Sequence, residues 1–160
     1  NIVGFQTHLT FGEQKRVFSM IPALRNAEFV RYGVMHRNTY LNSPQLLDRY
    51  YRLRRDPRIR FAGQMTGVEG YIESTASGWT AGVAAAMEVL GRPMPQLDRF
   101  TAVGALASYI SDHTVTKFQP MNINFGIIEP LGCKIKGKRE KNAKISERAL
   151  ERIESLKGEL

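Results

Sequence analysis

An α/β fold is the expectation for this chain of 160 residues, and three observations carry it. Segments that alternate apolar and polar side chains, as half-buried strands do, are interleaved with segments whose apolar residues recur at spacings of three and four. Residues 61–78, Phe-Ala-Gly-Gln-Met-Thr-Gly-Val-Glu-Gly-Tyr-Ile-Glu-Ser-Thr-Ala-Ser-Gly, read as a strand end, a glycine turn and the start of a helix built mostly from small residues. Gly91 and Pro93 then supply a stop signal for that helix. Strands mixed with helices in this way favour the α/β class.

Taken in order, residues 2–9 read as a strand, and Thr10 with Glu13 three places on has the form of a capping box for a helix ending before Pro22. Residues 27–36 alternate as a strand, residues 44–48 make a short turn or helix, and residues 49–53 with 58–62 suit a hairpin about Asp56-Pro57. The glycine-rich helix is expected over residues 71–90, with one stripe of Ile72, Thr75, Trp79, Val83, Ala86 and Leu90, and a second of Ser74, Gly78, Gly82, Ala85 and Val89 beside it. Only Glu88 is charged after its first turn, so the helix is expected to be covered on most sides. A proline-marked link over residues 92–96 follows, then a helix over 101–111 and an irregular extended stretch over 117–131. Ile145, Ala149, Ile153 and Leu156 give residues 142–156 the single apolar face of an amphipathic helix.

The glycines of the junction have two readings. Gly63, Gly67 and Gly70 free the backbone to turn and admit a ligand closely, ahead of a helix whose first amides and dipole face outward. Tight packing of helix on sheet explains the same glycines, and no G-x-G-x-x-G occurs in the chain to break the tie.

Longer motifs are more specific. Phe61-Ala-Gly-Gln64 followed by Thr66-Gly-Val-Glu-Gly-Tyr-Ile-Glu-Ser74 resembles the second FAD-binding segment of the bacterial folate- and FAD-dependent tRNA (uracil-5-)-methyltransferases, the TrmFO family. The resemblance extends to Gly12-Glu-Gln-Lys-Arg-Val17, to Tyr32-Gly-Val-Met-His-Arg-Asn-Thr-Tyr-Leu-Asn-Ser-Pro44 and to Phe118-Gln-Pro-Met-Asn-Ile-Asn-Phe-Gly126, and so covers most of the chain. A sister flavoprotein family that modifies tRNA wobble uridines shares the Ala-Gly-Gln and Gly-Tyr-x-Glu pieces but not the Met35-His36-Arg37-Asn38 run.

The resemblance implies the carboxy-terminal portion of an FAD-binding, glutathione-reductase-like Rossmann-type flavoprotein, without the amino-terminal dinucleotide-binding half and without the cysteines assigned to the family's chemistry. Residues 1–48 would then belong to a substrate or insertion domain, residues 49–131 to the FAD-binding domain, and residues 132–160 to a basic linker with its closing helix. The parent enzyme would transfer a methylene group from methylenetetrahydrofolate to C5 of a uridine in tRNA. It would reduce that carbon with FADH2 and draw electrons from NADH or NADPH. Gly63, Gln64, Thr66, Gly67, Val68, Gly70 and Tyr71 would touch FAD, and His36, Arg37, Asn38 and Tyr40 would help hold folate. Gln64 stands where many related flavoproteins carry an acidic residue. The fragment itself is expected to be inactive, with no catalytic residue of its own.

Charge is uneven. Residues 31–60 hold eight arginines, two aspartates and no lysine, and residues 134–144 hold six basic residues against one glutamate, within a net charge of +8 for the whole chain. Arginine without lysine suits planar, bidentate contacts to phosphate or carboxylate. A solvated, charge-decorated edge is the plain alternative. Arg52, Arg54, Arg55, Lys138, Arg139 and Lys141 are the candidate RNA contacts, while Tyr50 and Tyr51 suit packing better than base stacking. A non-catalytic RNA-binding domain is the competing reading of the same charges.

Other chemistries find little support. His8 and His113 are isolated and no carboxylates cluster, which argues against a metal site. Cys133 lies beside Lys134 and Lys136, whose charge would favour a thiolate, but no base can be assigned to it. One cysteine rules out an intrachain disulfide and fits a reducing cytoplasm, and no apolar stretch is long enough to cross a membrane.

Overall fold

A computed structural model describes residues 6–35 and 38–158. The chain divides into two compact units, residues 1–38 and residues 39–160. Among its described residues the first unit contains one α-helix, α1 (Phe11–Phe18), and a 3-10 turn, Pro22–Leu24. In the second unit α2 (Ser43–Leu46), α3 (Tyr71–Val89), α4 (Ala102–Ser111) and α5 (Lys138–Leu156) are joined by long irregular connections, with a 3-10 turn at Gly63–Thr66.

The expected mixture of strands and helices is not what forms among the described residues. Sheet structure there is limited to three isolated bridges, Leu47 with Leu53, Arg52 with Arg60, and Val68 with Met121. Alternation of apolar and polar residues marks a chain that suits a pleat, but an extended segment becomes a strand only when a neighbour pairs with its amides. Residues 27–35 find no such neighbour, nor do residues 6–9, and the rest of that first expected strand lies outside the described residues. The hairpin about Asp56-Pro57 does form as a hydrogen-bonded loop, with the Leu53 amide donating to the Ile59 carbonyl at 2.9 Å and the Phe61 amide to the Tyr51 carbonyl at 3.0 Å.

The helices follow their signals more closely. Thr101 caps α4 by accepting the Gly104 amide at 3.0 Å. Thr10 holds the N-cap position of α1 without a side-chain cap, because Glu13 turns forward to Arg16 at 2.6 Å and leaves no capping box. α5 begins at Lys138 and so takes the basic residues expected in a linker into its first turn. Ile145 and Leu156 bury its inner face, while Arg152 binds Asp98 at 2.7 Å and the Arg148 guanidinium lies 4.6 Å from the centre of the Phe100 ring.

The core of the second unit gathers Leu47, Tyr51, Val68, Ala81, Leu106, Ala107, Ile110 and Phe118. Tyr51 is the one non-glycine residue among the described residues with positive φ, at 61°. Its buried ring packs in the core while its backbone turns the chain into the hairpin. Burial also pushes its phenol well above the ordinary range, so it stays neutral at any physiological pH.

α3 is covered on one face rather than on most sides as expected. Its buried residues are Ser77, Thr80, Ala81, Ala84 and Met87. Small side chains on that face let α4 and the turn at Gly63–Thr66 come close, and Ser77 and Thr80 satisfy their hydroxyls on the Ser74 and Ala76 carbonyls. Several larger apolar residues lie outside: Tyr71 is 94% exposed, Ile72 80%, Trp79 46% and Val89 86%.

Candidate functional site

The glycine junction is held from within by backbone and hydroxyl contacts. The Gly63 amide donates to Ser77 Oγ at 2.7 Å, the Thr66 hydroxyl donates back to the Gly63 carbonyl at 2.8 Å, and the Gly67 amide closes onto the Gln64 carbonyl at 2.9 Å. Beyond the turn, Val68 bridges in parallel to Met121, with the Met121 amide on the Gly67 carbonyl at 3.1 Å and the Glu69 amide on the Met121 carbonyl at 3.0 Å. Asn122 donates to the Glu69 carbonyl at 2.9 Å, and the Glu73 carboxylate accepts the Ile123 amide at 3.2 Å. Residues 118–126 therefore brace the loop that leads into α3.

Each residue expected at this junction has a definite setting. Thr66, Gly67 and Val68 are buried and Gly63 half-buried, whereas Gln64, Gly70 and Tyr71 are exposed. Gly67, at φ 84°, is where the main chain must be bare: a Cβ there would clash with the edge of the Phe118 ring. The close approach that Gly67 permits inside this structure is thus that of Phe118. Gly70, at φ 104°, stands at the N-cap of α3 and offers no side-chain cap. The amides of Tyr71, Ile72 and Glu73 have no acceptor within the described protein, the first helical bond there being Ser74 to Gly70 at 2.9 Å. Along the helix, Gly78 and Gly82 have open space where a Cβ would project.

Of the expected folate residues, His36 and Arg37 lie outside the described residues, and Asn38 is exposed at the end of the first unit. Tyr40 is brought to the glycine junction. Its ring meets Phe118 edge-on at 6.0 Å, and the next amide, that of Leu41, donates to the Met65 carbonyl at 2.8 Å.

The arginine group divides. Arg52 binds Asp48 at 2.8 Å and Glu88 at 3.3 Å, and Arg60 also binds Glu88. These contacts hold the Glu88 carboxyl below the usual carboxylate range, the Arg60 hydrogen bond most strongly. Arg54 donates to the carbonyl of Ser111, the last residue of α4, at 2.9 Å, and Arg49 to that of Leu97. Arg55 is exposed and has no partner among the described residues. Tyr50 also serves structure, its hydroxyl donating to the Pro95 carbonyl at 3.1 Å. Lys138, Arg139 and Lys141 are exposed in the first turn of α5, where Glu140 approaches only Lys144, at 4.0 Å.

No group of three or more potential metal ligands occurs among the described residues, and no helix among them is long and apolar enough to cross a membrane. Cys133 is exposed. Sequence reasoning missed Gln14 and the bracing role of Phe118. A buried glutamine carries no periodic signal, and Phe118 is an isolated aromatic in an irregular stretch.

Comparison with known proteins gives this geometry a family. The model of the glucose inhibited division protein A family matches residues 1–93, more than half of the chain. Proteins named methylenetetrahydrofolate–tRNA-(uracil-5-)-methyltransferase TrmFO match nearly the whole chain. That of Acetivibrio thermocellus is 58% identical over 94% of this chain and 34% of its own length. That of Streptococcus agalactiae is 59% identical over 98% and 35%, and that of Listeria monocytogenes 54% identical over 100% and 37%. The chain spans about a third of the length of these relatives. It belongs to the glucose inhibited division protein A family, as a TrmFO-type sequence.

Proposed function

We propose that this chain contributes one wall of the flavin site, part of the folate pocket and an RNA-facing surface to a tRNA (uracil-5-)-methyltransferase. One observation supports the flavin assignment above the others: three amides at the start of α3 lack acceptors among the described residues, no side chain makes a cap hydrogen bond there, and Tyr71 is 94% exposed. Helix N-termini carry partial positive charge and unsatisfied donors, which suit the phosphates and electron-rich ring atoms of FAD. The bare positions at Gly78 and Gly82 leave room for a flat group against the same helix.

Within that enzyme, FAD when bound supplies the reducing equivalents that turn a methylene group taken from methylenetetrahydrofolate into the methyl at C5 of a tRNA uridine, and NADH or NADPH renews them. The residues of this chain bind and orient. Gly63, Gly67 and Gly70 shape the loop, and Gln64 and Tyr71 present exposed side chains beside it. Val68 and Thr66 hold the loop from the inside. Tyr40 stands against Phe118 at the same junction, in keeping with a folate contact there, and His36, Arg37 and Asn38 belong to the same assignment. A fixed guanidinium suits the glutamyl carboxylate of folate, while amide and imidazole suit ring nitrogens.

Of the candidate RNA contacts, Arg55 and those in the first turn of α5 are the available cations. Basic side chains at a helix N-terminus oppose its dipole and cost up to about 1 kcal/mol each, so Lys138, Arg139 and Lys141 stand where local stability disfavours them. Such a local conflict fits residues kept for a phosphate backbone.

The test exploits the exposure of Tyr71. In the full-length enzyme, Tyr71→Glu places a carboxylate where the helix dipole welcomes one, so folding is unharmed, yet the new charge repels an anionic ligand. Flavin absorbance per protein is expected to fall severalfold with unchanged thermal unfolding of the apoprotein. Full flavin content in that variant refutes the assignment.

A further inference from the structure

The first unit carries a feature that the flavin and folate assignments do not use. Phe11, Tyr32, Phe29 and Phe18 form a ladder of nearly parallel rings. Phe11 and Tyr32 are 5.0 Å apart at 12°, Tyr32 and Phe29 5.6 Å at 16°, and Phe29 and Phe18 6.3 Å at 13°. Phe18, Phe29 and Tyr32 are partly covered, but Phe11 is 56% exposed although one of its faces is taken by Tyr32. The ladder thus ends on an open aromatic face.

Phe11 also lines an open surface cleft. The cleft, of about 440 Å³, is lined by Thr7, His8, Leu9, Thr10 and Phe11 on one side and by Gly33, Val34 and Met35 on the other. Its two walls are clamped by Gln14, which is 1% exposed. Gln14 donates to the Leu9 and Gly33 carbonyls, both at 2.8 Å, and accepts the Gly33 amide at 2.9 Å. A buried side-chain amide bonded in this way to main chain on both walls fixes the spacing of the two segments as a strand pair would.

We propose that this cleft is a stacking subsite for an unpaired base of RNA, with the outer face of Phe11 as its platform. The face of an aromatic ring at the end of a rigid stack is preorganised for another flat ring, and such contacts tolerate any base because each base has a π-face. Charge selects a nucleic acid strand among flat ligands. Lys15 lies one turn along α1 from Phe11, and Arg31 precedes Tyr32; both are exposed without a partner among the described residues. Arg16, by contrast, is neutralised by Glu13 at 2.6 Å. Platforms flanked by free cations are how single strands are held without sequence readout. The inference rests on the RNA-binding reading above for the class of its ligand and adds a base contact to a surface otherwise assigned only phosphates.

The test uses the full-length enzyme and a short oligouridylate carrying one fluorescent adenine analogue, whose emission is quenched by stacking. Wild-type protein is expected to bind and quench it. Phe11→Leu should weaken binding about tenfold and abolish most of the quench while leaving the salt dependence of affinity unchanged, since stacking releases no counterions. Phe11→Trp should restore both affinity and quench, which a merely structural role for Phe11 would not predict. Lys15→Ala with Arg31→Ala should instead lower the salt slope and leave the quench at saturation intact. Failure of the wild type to bind any RNA overturns the RNA reading together with the subsite. Binding with equal affinity and quench in Phe11→Leu overturns the subsite alone. Loss of tetrahydrofolate binding in Phe11→Leu with RNA binding unchanged also overturns it, and gives the cleft to a pterin.

Discussion

The glycine junction and the arginine hairpin both stand out in the sequence as dense in functional chemistry, and the structure treats them in opposite ways. At the junction, residues 63–70 direct their hydrogen bonds inward, to Ser77, Met121 and Asn122, and leave the start of α3 open. In the hairpin, charges that look available in the sequence are consumed: Arg52 and Arg60 by Glu88, Arg52 again by Asp48, and Arg54 by the end of α4. A motif of backbone amides keeps its valence when the helix behind it has no cap. A motif of cations keeps its valence only where no carboxylate or helix C-terminus lies within reach, and that is a property of the fold rather than of the run of arginines.

The sharpest way to break this contrast is at Gly67. Valine there must adopt φ 84° and displace the Phe118 ring, so Gly67→Val is expected to cost about 3 kcal/mol from backbone strain and overpacking together. Urea unfolding measures it. Phe118→Ala added to Gly67→Val should cost less than the sum of the two single changes, because it removes the clash; strictly additive costs would mean that the ring is not what excludes a side chain. Flavin depletion in Gly67→Val is for the same reason uninformative, whereas Tyr71→Glu separates ligand from packing.

How much is legible in the sequence follows the same division. α4 and α5 are legible because helix signals are local, as in the apolar face of Ile145, Ala149, Ile153 and Leu156, although α5 starts ahead of its expected bound, at Lys138. α3 is legible in extent but not in cover. Periodicity reports that a helix has faces, and the near absence of charge after the first turn predicts cover on most of them. Instead the face of Ser77, Ala81 and Ala84 is buried, since close approach to the Gly63–Thr66 turn favours small residues. Outside the hairpin, the expected strands do not form among the described residues, because alternation is a property of one segment and pairing a property of two. Nothing local announces Gln14, whose three hydrogen bonds join residues five and nineteen positions away.

A smaller effect tests the hairpin's ion pairs through pH. Glu88 has an ordinary value of 4.5 that is lowered in the folded protein, by Arg60 first and by Arg52 after it. A carboxylate whose folded value is depressed adds stability above its unfolded value and loses it as pH falls through the folded one. The wild type should therefore lose stability more steeply than Glu88→Gln on acidification below about pH 4.5, and the two curves should converge at the acid end. Parallel curves would show that the Arg52, Arg60 and Glu88 cluster is too solvated to matter.

The least effect on stability and the cleanest on binding is expected at Arg55. Being exposed and unpartnered among the described residues, it can be removed at no cost to the fold, so Arg55→Ala should unfold at the wild-type urea concentration. Arg52→Ala should not, because it strips Asp48 of its partner and leaves Glu88 with Arg60 alone. On tRNA the order reverses. Each phosphate left without its cation flattens the dependence of affinity on salt by somewhat under one unit, so Arg55→Ala should lower that slope where Arg52→Ala leaves it alone. Replacing Lys138, Arg139 and Lys141 together by alanine should lower it by about two to three units without changing base preference, since phosphate contacts position the strand and do not read it. An Arg52→Ala slope that falls as far as that of Arg55→Ala would mean that the Glu88 cluster opens on binding RNA, and that the hairpin's charges are held in reserve rather than consumed.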